Sequence, residues 1–323
     1  MREEAVREAA IHPRNDHRAM SHPYPGPMQP APQLAPHART LRLQWPDGAV
    51  QYFEAGAPHA PAIVLIHGLQ DEADTWRHVF ERLAQTHHVI ALDLPGFGRS
   101  DKARRRYSVP FYTRVVLGLM DALKIGYATL IGSSLGAMIA ETIALTQPAR
   151  ASGLVLIGGT IHIVERPAAA PRNLVQLLRL AANDRRYFEA LRRSPQAAYD
   201  SLRPYYANLD DLPQTDRDFL FQRVNERVWD EAQRLASLSV QMNLPIFLAF
   251  QGRALIRRIP ASAVPTTVIW GAEDRILPMS NGIARTAIQR ASRWIRIEAA
   301  GHLPHQEKPE DFLRAIAPMA RTR

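Results

Sequence analysis

Apolar positions along this chain follow two patterns whose alternation predicts the architecture. Leu41-Arg42-Leu43-Gln44-Trp45 alternates apolar and polar residues, Pro46-Asp47-Gly48 turns, and Ala49-Val50-Gln51-Tyr52-Phe53-Glu54 alternates again, the form of a β-hairpin. Ala62–Ile66 is instead a continuous apolar run closed by His67-Gly68, the form of a strand buried on both faces, and this points to a parallel sheet. His88–Asp93, Ala128–Gly132, Leu154–Ile157, Thr266–Gly271 and Arg293–Glu298 read as further strands. Trp76–Leu83, Pro110–Leu123 and Leu135–Thr146 have helical spacing, the last stopped by Pro148, and Pro309–Met319 reads as the closing helix. Strands alternating with helices predict an α/β fold: a mostly parallel, doubly wound central sheet flanked by helices.

Between about Thr160 and Pro260 the alternation stops. Helices are expected over Asn173–Ala182, Arg186–Arg193, Gln196–Leu202, Asp216–Val240 with a break, and around Phe247–Arg258. The domain division that follows is an α/β core over residues 39–160 and 261–323, interrupted by a helical cap over 161–260. Two apolar runs in the insert, Leu174–Leu180 and Leu244–Phe250, fit either simple packing onto the sheet or a lid over an acyl-binding pocket. Residues 1–38 are rich in Pro, His and Arg without an apolar period and read as a disordered extension lacking the apolar core of a secretion signal. Its histidines, His12, His17, His22 and His37, are irregularly spaced and read as solvated rather than as metal ligands.

Composition narrows the chemistry. With 323 residues and 46% hydrophobic content the chain can bury a substantial core as one large or two smaller domains. No apolar run approaches the roughly 20 residues needed to span a bilayer, so no transmembrane segment and a cytoplasmic location are expected. The absence of cysteine excludes disulfides, thiolate nucleophiles and cysteine-based metal sites. The net charge of +9 comes almost entirely from scattered arginines, with Arg104-Arg105-Arg106 as the one cluster. That pattern argues against a dedicated polyanion site and a nucleic-acid partner, and leaves only weak contact with anionic surfaces open.

The stretch with specific chemistry is Leu130-Ile131-Gly132-Ser133-Ser134-Leu135-Gly136-Ala137. An apolar strand enters Gly-x-Ser-x-Gly and a helix leaves it, the sequence form of a nucleophile elbow. A serine on so tight a turn needs small neighbours two residues before and after it; Gly132 and Gly136 meet that demand for Ser134, whereas Ser133 has Ile131 and Leu135. A serine hydroxyl is a poor nucleophile without an adjacent base, itself oriented by a third group. His302, on a loop after the last strand, is the candidate base, and Asp274, after the preceding strand, the candidate acid; Glu273 is the weaker alternative. The backbone N–H groups of Leu69 and Leu135 are the expected oxyanion donors. Gly68, Ser133 and Trp76 are candidates for the substrate pocket, Trp76 fitting either pocket wall or core. His67 reads as a hydrogen-bonded support, Asp93 and Asp101 as structural groups of the Pro95–Ser100 loop, and His305 as the start of the next helix. Neither a cofactor nor a metal is expected.

Together, His67-Gly68-Leu69, the run DLPGFGRSD over Asp93–Asp101, GSSLG over Gly132–Gly136, WGAED over Trp270–Asp274, and Gly301-His302 followed by Glu307-Lys308-Pro309 resemble the capped α/β-hydrolase superfamily from about Leu41 onward. Within it the chain is similar to monoacylglycerol-lipase-like esterases and, more distantly, to meta-cleavage-product carbon–carbon hydrolases, whose glycine-rich His-Gly loop His67-Gly68-Leu69-Gln70-Asp71 departs from. The resemblance implies a serine hydrolase acting on a small-molecule carboxylic ester, with a helical cap inserted after the strand that follows the elbow. Superfamily members with an aspartate nucleophile, the haloalkane dehalogenases and epoxide hydrolases, are disfavoured by Ser134.

Overall fold

Strands β1 (Ala38–Leu43), β2 (Gly48–Ala55), β3 (Ala62–Ile66), β4 (His88–Leu92), β5 (Ala128–Ser133), β6 (Ala151–Ile157), β7 (Thr266–Gly271) and β8 (Ser292–Ile297) form one sheet in the order β1-β2-β4-β3-β5-β6-β7-β8. The hairpin β1-β2 and the pair β2-β4 are antiparallel; every other pairing is parallel. The structure is a computed structural model and describes residues 23–24, 26–44, 48–165 and 174–318. Of the expected hairpin turn Pro46-Asp47-Gly48, residues 46 and 47 lie outside the described residues and Gly48 opens β2.

In chain order the α-helices are α1 (Phe80–Ala84), α2 (Val109–Ala122), α3 (Leu135–Thr146), α4 (Leu174–Arg193), α5 (Pro195–Asp200), α6 (Gln214–Trp229), α7 (Glu231–Phe247), α8 (Arg253–Ile256), α9 (Met279–Ala287), α10 (Pro304–Glu307) and α11 (Pro309–Ile316). The continuous apolar strands are buried on both faces, as their composition requires. Val64 and Ile66 of β3 pack with α2 and α3 residues such as Val116 and Ile139 on one side. Ile63 and Leu65 pack with Phe80 of α1 and Phe312 of α11 on the other. Each pair of neighbours along the strand therefore supplies both cores, which is why the sequence shows no alternation there.

Helices α4 to α8 lie between β6 and β7; α4 to α6 share an apolar cluster with Phe188, Tyr199, Tyr206, Leu220 and Val224, whereas Val240 and Phe247 of α7 and Leu255 of α8 join the core on the α2–α3 side of the sheet. The two helices expected over Asn173–Ala182 and Arg186–Arg193 are one helix, α4, because Asp184 is buried and ion-paired with Arg234 of α7 rather than breaking the turn. The expected break within 216–240 falls at Asp230, whose carboxylate caps α7 by accepting the Gln233 N–H at 2.9 Å. The apolar run Leu174–Leu180 belongs to α4, but six of its seven side chains lie outside the described residues.

The extension is shorter than the sequence suggested. Residues 1–22 lie outside the described residues, but Leu34 is fully buried in the cluster that contains Phe80, and the Ala31 N–H donates to Asp74 Oδ1 at 2.9 Å. Ala31 and Leu34 therefore belong to the core. One leucine among prolines and histidines carries no period, so its burial could not be read locally.

Candidate active site

The site sits where β3, β5, β6 and β7 end. Ser134 follows β5 and precedes α3, with φ 54° and ψ −111°, a backbone conformation that a residue with a side chain rarely adopts. Two close approaches hold it. A Cβ on Gly132 would lie 2.2 Å from Gly136 O, and one on Gly136 would lie 2.1 Å from Ile66 O at the end of β3. The two glycines that mark the motif thus let the elbow close on itself and on the neighbouring strand. Helix α3 then begins at Leu135, placing its first unpaired N–H groups beside the serine.

His302 and Asp274 meet at 2.8 Å, Nδ1 to Oδ2, both with nearly buried side chains. A carboxylate can only accept, so Nδ1 carries the proton and Nε2 is left as the basic nitrogen. Glu273 is exposed, its backbone N–H bonded to Ala300 O, and its carboxylate takes no part in this pair. Gly158 and Gly159, after β6, lie against His302 and Ser134: a Cβ on Gly158 would lie 3.0 Å from His302 Nδ1, and one on Gly159 2.8 Å from Ser134 Cα. Two consecutive residues thus touch both groups.

Ser134 and His302 face a cavity of ≈ 220 Å³ that Gly68, Leu69 and Ser133 also line. A Cβ on Gly68 would come within 3.3 Å of Ser134 Cβ, so the loop bearing Leu69 passes directly over the serine. Gln70 then takes φ 58° and anchors the loop to α7 through Nε2 to Ser237 Oγ at 2.7 Å. Ser133 is fully buried and its hydroxyl has no hydrogen-bond partner among the described residues. Trp76 is not a pocket residue. It is fully buried in the core between β3, α1 and α11 and packs on His305 with ring centroids 4.5 Å apart and the rings tilted by 33°. A lone tryptophan in a helical pattern gives no sign of which side of the site it faces.

The residues read as supports occupy those roles. His67 Nε2 accepts the Leu94 N–H at 2.9 Å, so Nδ1 carries the proton and donates to Gly68 O at 2.7 Å. Burial holds this imidazole below its ordinary pKa against the pull of Asp71 and Asp93, which keeps it neutral. Asp93 accepts from Ala73 N and from Arg99; burial pushes its carboxyl up, but Arg99, the Ala73 N–H and His67 together outweigh burial and lower it. Asp101 Oδ2 accepts the Ala49 N–H at 2.7 Å, and His305 lies in α10.

Two elements escaped the sequence reading. The segment after α5 straps the His302 loop: His302 N–H donates to Tyr205 O at 2.8 Å, and the Glu307 carboxylate accepts Ala207 N–H at 2.8 Å and Gly301 N–H at 2.6 Å. Burial pushes the Glu307 carboxyl up to about 7. The Glu307-Lys308-Pro309 run was visible in the sequence, but its partner a hundred residues away was not. The second element is the charge on the cavity wall. Arg77 pairs with Asp216 at 2.8 Å, Arg227 with Glu72 and with Asp71 at 2.9 Å, and Arg234 with Asp184 and Glu231. Burial works against the Arg227 charge, yet Glu72 and Asp71 outweigh it and raise its pKa.

An elbow serine and a histidine–carboxylate pair at the carboxyl ends of a mostly parallel sheet define the α/β-hydrolase class. The alpha/beta hydrolase fold family model matches residues 61–309, and the chain belongs to that family. It is 30% identical over 301 residues to an uncharacterized protein of Mycobacterium tuberculosis, covering 90% of this chain and 83% of the relative. It is 29% identical over 286 residues to the 2-hydroxy-6-oxononadienedioate/2-hydroxy-6-oxononatrienedioate hydrolase of Paraburkholderia xenovorans, covering 86% and 93%. A thermophilic esterase from Thermogutta terrifontis superposes with a TM-score of 0.68 at 23% identity, covering 88% of this chain and 98% of that one. The chain is thus a hydrolase of the α/β fold, and among the described residues no helix is long and apolar enough to cross a membrane.

Proposed function

We propose that this protein is a cofactor-independent serine hydrolase that cleaves carboxylic esters with an apolar acyl group. The observation that carries the reading is the 2.8 Å His302–Asp274 pair beside Ser134 on its strained elbow. His302 Nε2 takes the Ser134 proton as Oγ attacks the ester carbonyl, and the imidazolium is stabilised by Asp274. The tetrahedral oxyanion lies against the N–H groups of Leu69 and Leu135, each contributing about 3 kcal/mol in the transition state. His302 then protonates the leaving alkoxide, and water, activated by the same imidazole, releases the acid from Ser134. Helices α4 to α7 act as the cap, with Phe188, Leu191, Leu220 and Val228 offering the acyl chain an apolar wall.

A second reading, hydrolysis of a carbon–carbon bond in a vinylogous diketone, is favoured by the 29% identity to the Paraburkholderia enzyme. The cavity charge supports the ester instead. The substrates in that relative's name are dioates, which carry two carboxylates, whereas the arginines on this cavity wall are already held by carboxylates of the chain. An extra anion would have to displace one of these partners, at the cost of an unpaired buried charge.

Turnover of p-nitrophenyl esters of graded chain length, beside a dienoic meta-cleavage product, tests the choice. Ester turnover is expected to exceed turnover of the dienoate, and Ser134→Ala to lower it by about 10⁴-fold or more while the protein stays folded. Undiminished turnover in that variant would overturn the assignment of the nucleophile, and preferred cleavage of the dienoate the assignment of the reaction. Failure of a fluorophosphonate probe to label Ser134 in the folded protein would favour a ligand-binding role on a hydrolase scaffold.

A further inference from the structure

The run Leu244–Phe250 was expected either to pack onto the sheet or to cover the pocket, and part of it does neither. It spans the end of α7 and the π-helical turn Leu248–Gly252. On one side Phe247 is buried, and Leu244 and Leu248 pack against the same core. On the other side Pro245, Ile246, Ala249 and Phe250 face solvent, with Ile246 46% and Phe250 77% exposed. A helix that is apolar on both faces has a second surface to cover. The other large apolar side chains exposed among the described residues, Tyr127, Val164, Tyr187 and Ile283, stand singly in the sequence, while these lie one turn apart.

The charge carried by this segment itself has one sign. Arg253, Arg257 and Arg258 follow in the next turns and are exposed, and the Arg106 guanidinium reaches the face from the Arg104–Arg106 cluster by donating to Asn243 Oδ1 of α7. No aspartate or glutamate occurs between Glu231 and Glu273. An apolar ridge bordered on both sides by guanidinium groups matches the layering of an anionic bilayer surface, with phosphates outside and acyl chains beneath. A second copy of the chain fits less well, since two such faces would bring arginines of like charge together.

We propose that this face docks the protein on anionic phospholipid membranes, Ile246 and Phe250 entering the interface and the flanking arginines binding lipid phosphates. The proposal does not depend on the reaction assigned to Ser134. Co-sedimentation of the full-length protein with vesicles of phosphatidylcholine alone, and of phosphatidylcholine mixed with phosphatidylglycerol, tests it. Binding is expected only to the mixed vesicles and is released by salt. Phe250→Glu should weaken it about tenfold, as loss of one buried aromatic anchor implies, and Arg253→Ala with Arg257→Ala by a similar factor. All three side chains are exposed, so circular dichroism and ester turnover in solution should match wild type; if Phe250→Glu nevertheless fails to fold, the arginine pair carries the test. Absence of binding to mixed vesicles at low salt would overturn the proposal, as would binding by both variants as tight as that of wild type. A concentration-dependent dimer dissolved by Phe250→Glu, without vesicle binding, would make the face a subunit interface instead.

Discussion

Asp274 holds His302 through one oxygen and its own loop through the other: Oδ2 accepts the Nδ1–H at 2.8 Å, while Oδ1 accepts the N–H groups of Ile276 and Leu277 at 2.8 and 3.0 Å. Because those two bonds fix which oxygen is which, Asp274→Asn should keep its carbonyl toward the loop and turn its amide toward the imidazole. The ring would then have to accept at Nδ1 and carry its proton on Nε2, the nitrogen that must take the serine proton. A fall in kcat of about 10⁴-fold is expected, with an unchanged melting temperature and little change in KM. Steady-state kinetics beside a thermal melt checks this; a loss smaller than tenfold would place the orienting carboxylate elsewhere.

Gly158 offers a separate handle on His302, the proposed base. Its φ is +54°, and an added Cβ would lie 3.0 Å from His302 Nδ1 and 3.1 Å from Cε1. Gly158→Ala is expected to cost about 1 kcal/mol of stability for the left-handed backbone and to push the imidazole out of line. A loss of about 100-fold in kcat with a folded protein follows from a displacement of that size. Equal activity in the alanine variant would show that the ring does not work from this position.

Glu307 links the base-bearing loop to the insert, and its carboxyl is pushed from 4.5 up to about 7 by burial. An acid whose folded pKa exceeds its unfolded value keeps a proton that the unfolded chain has released, so this group makes stability fall as pH rises from about 4.5 to about 7. Glu307→Gln removes that slope, and melting temperatures measured across the window should decline less than in wild type. The amide nitrogen cannot accept, so either the Gly301 or the Ala207 bond is lost; kcat is expected to fall about tenfold through misplacement of His302. Identical pH dependence in the two proteins would contradict the elevated pKa.

His305 acts in the opposite direction. Burial, with Arg77 nearby, lowers its imidazole to about 3, and it is held neutral between Thr75 and the Trp76 ring. A histidine with a depressed folded pKa contributes stability that is fully present above pH 6.5 and is lost as pH falls toward 3. The slope from one such group is at most about 1.4 kcal/mol per pH unit. His305→Phe, which keeps a ring against Trp76, should flatten the acid limb of denaturant-unfolding curves between pH 6.5 and 4, and an unaltered limb would assign it to other groups.

Much of this was legible in the chain because it is written in local chemistry. Continuous apolar runs announce strands buried on both sides, and Gly132 and Gly136 announce the turn at Ser134, since only residues without side chains permit approaches of 2.2 and 2.1 Å. The strand ends that carry Asp274 and His302 follow from the same periodicity. Three-dimensional contacts decided the rest. The single helix α4, the burial of Leu34, the retreat of Trp76 into the core, and the strap from Tyr205 to Ala207 onto the His302 loop each depend on a partner far away in sequence. So does the neutralisation of Arg77, Arg227 and Arg234, which lie with their carboxylates on the cavity wall but are scattered along the chain. Neighbouring residues set backbone conformation, so the sheet, the elbow and the residues at its strand ends can be read along the chain. The side chains that face the cavity, and its net charge, come from packing, because burial and ion pairing belong to the folded molecule and not to any segment within it.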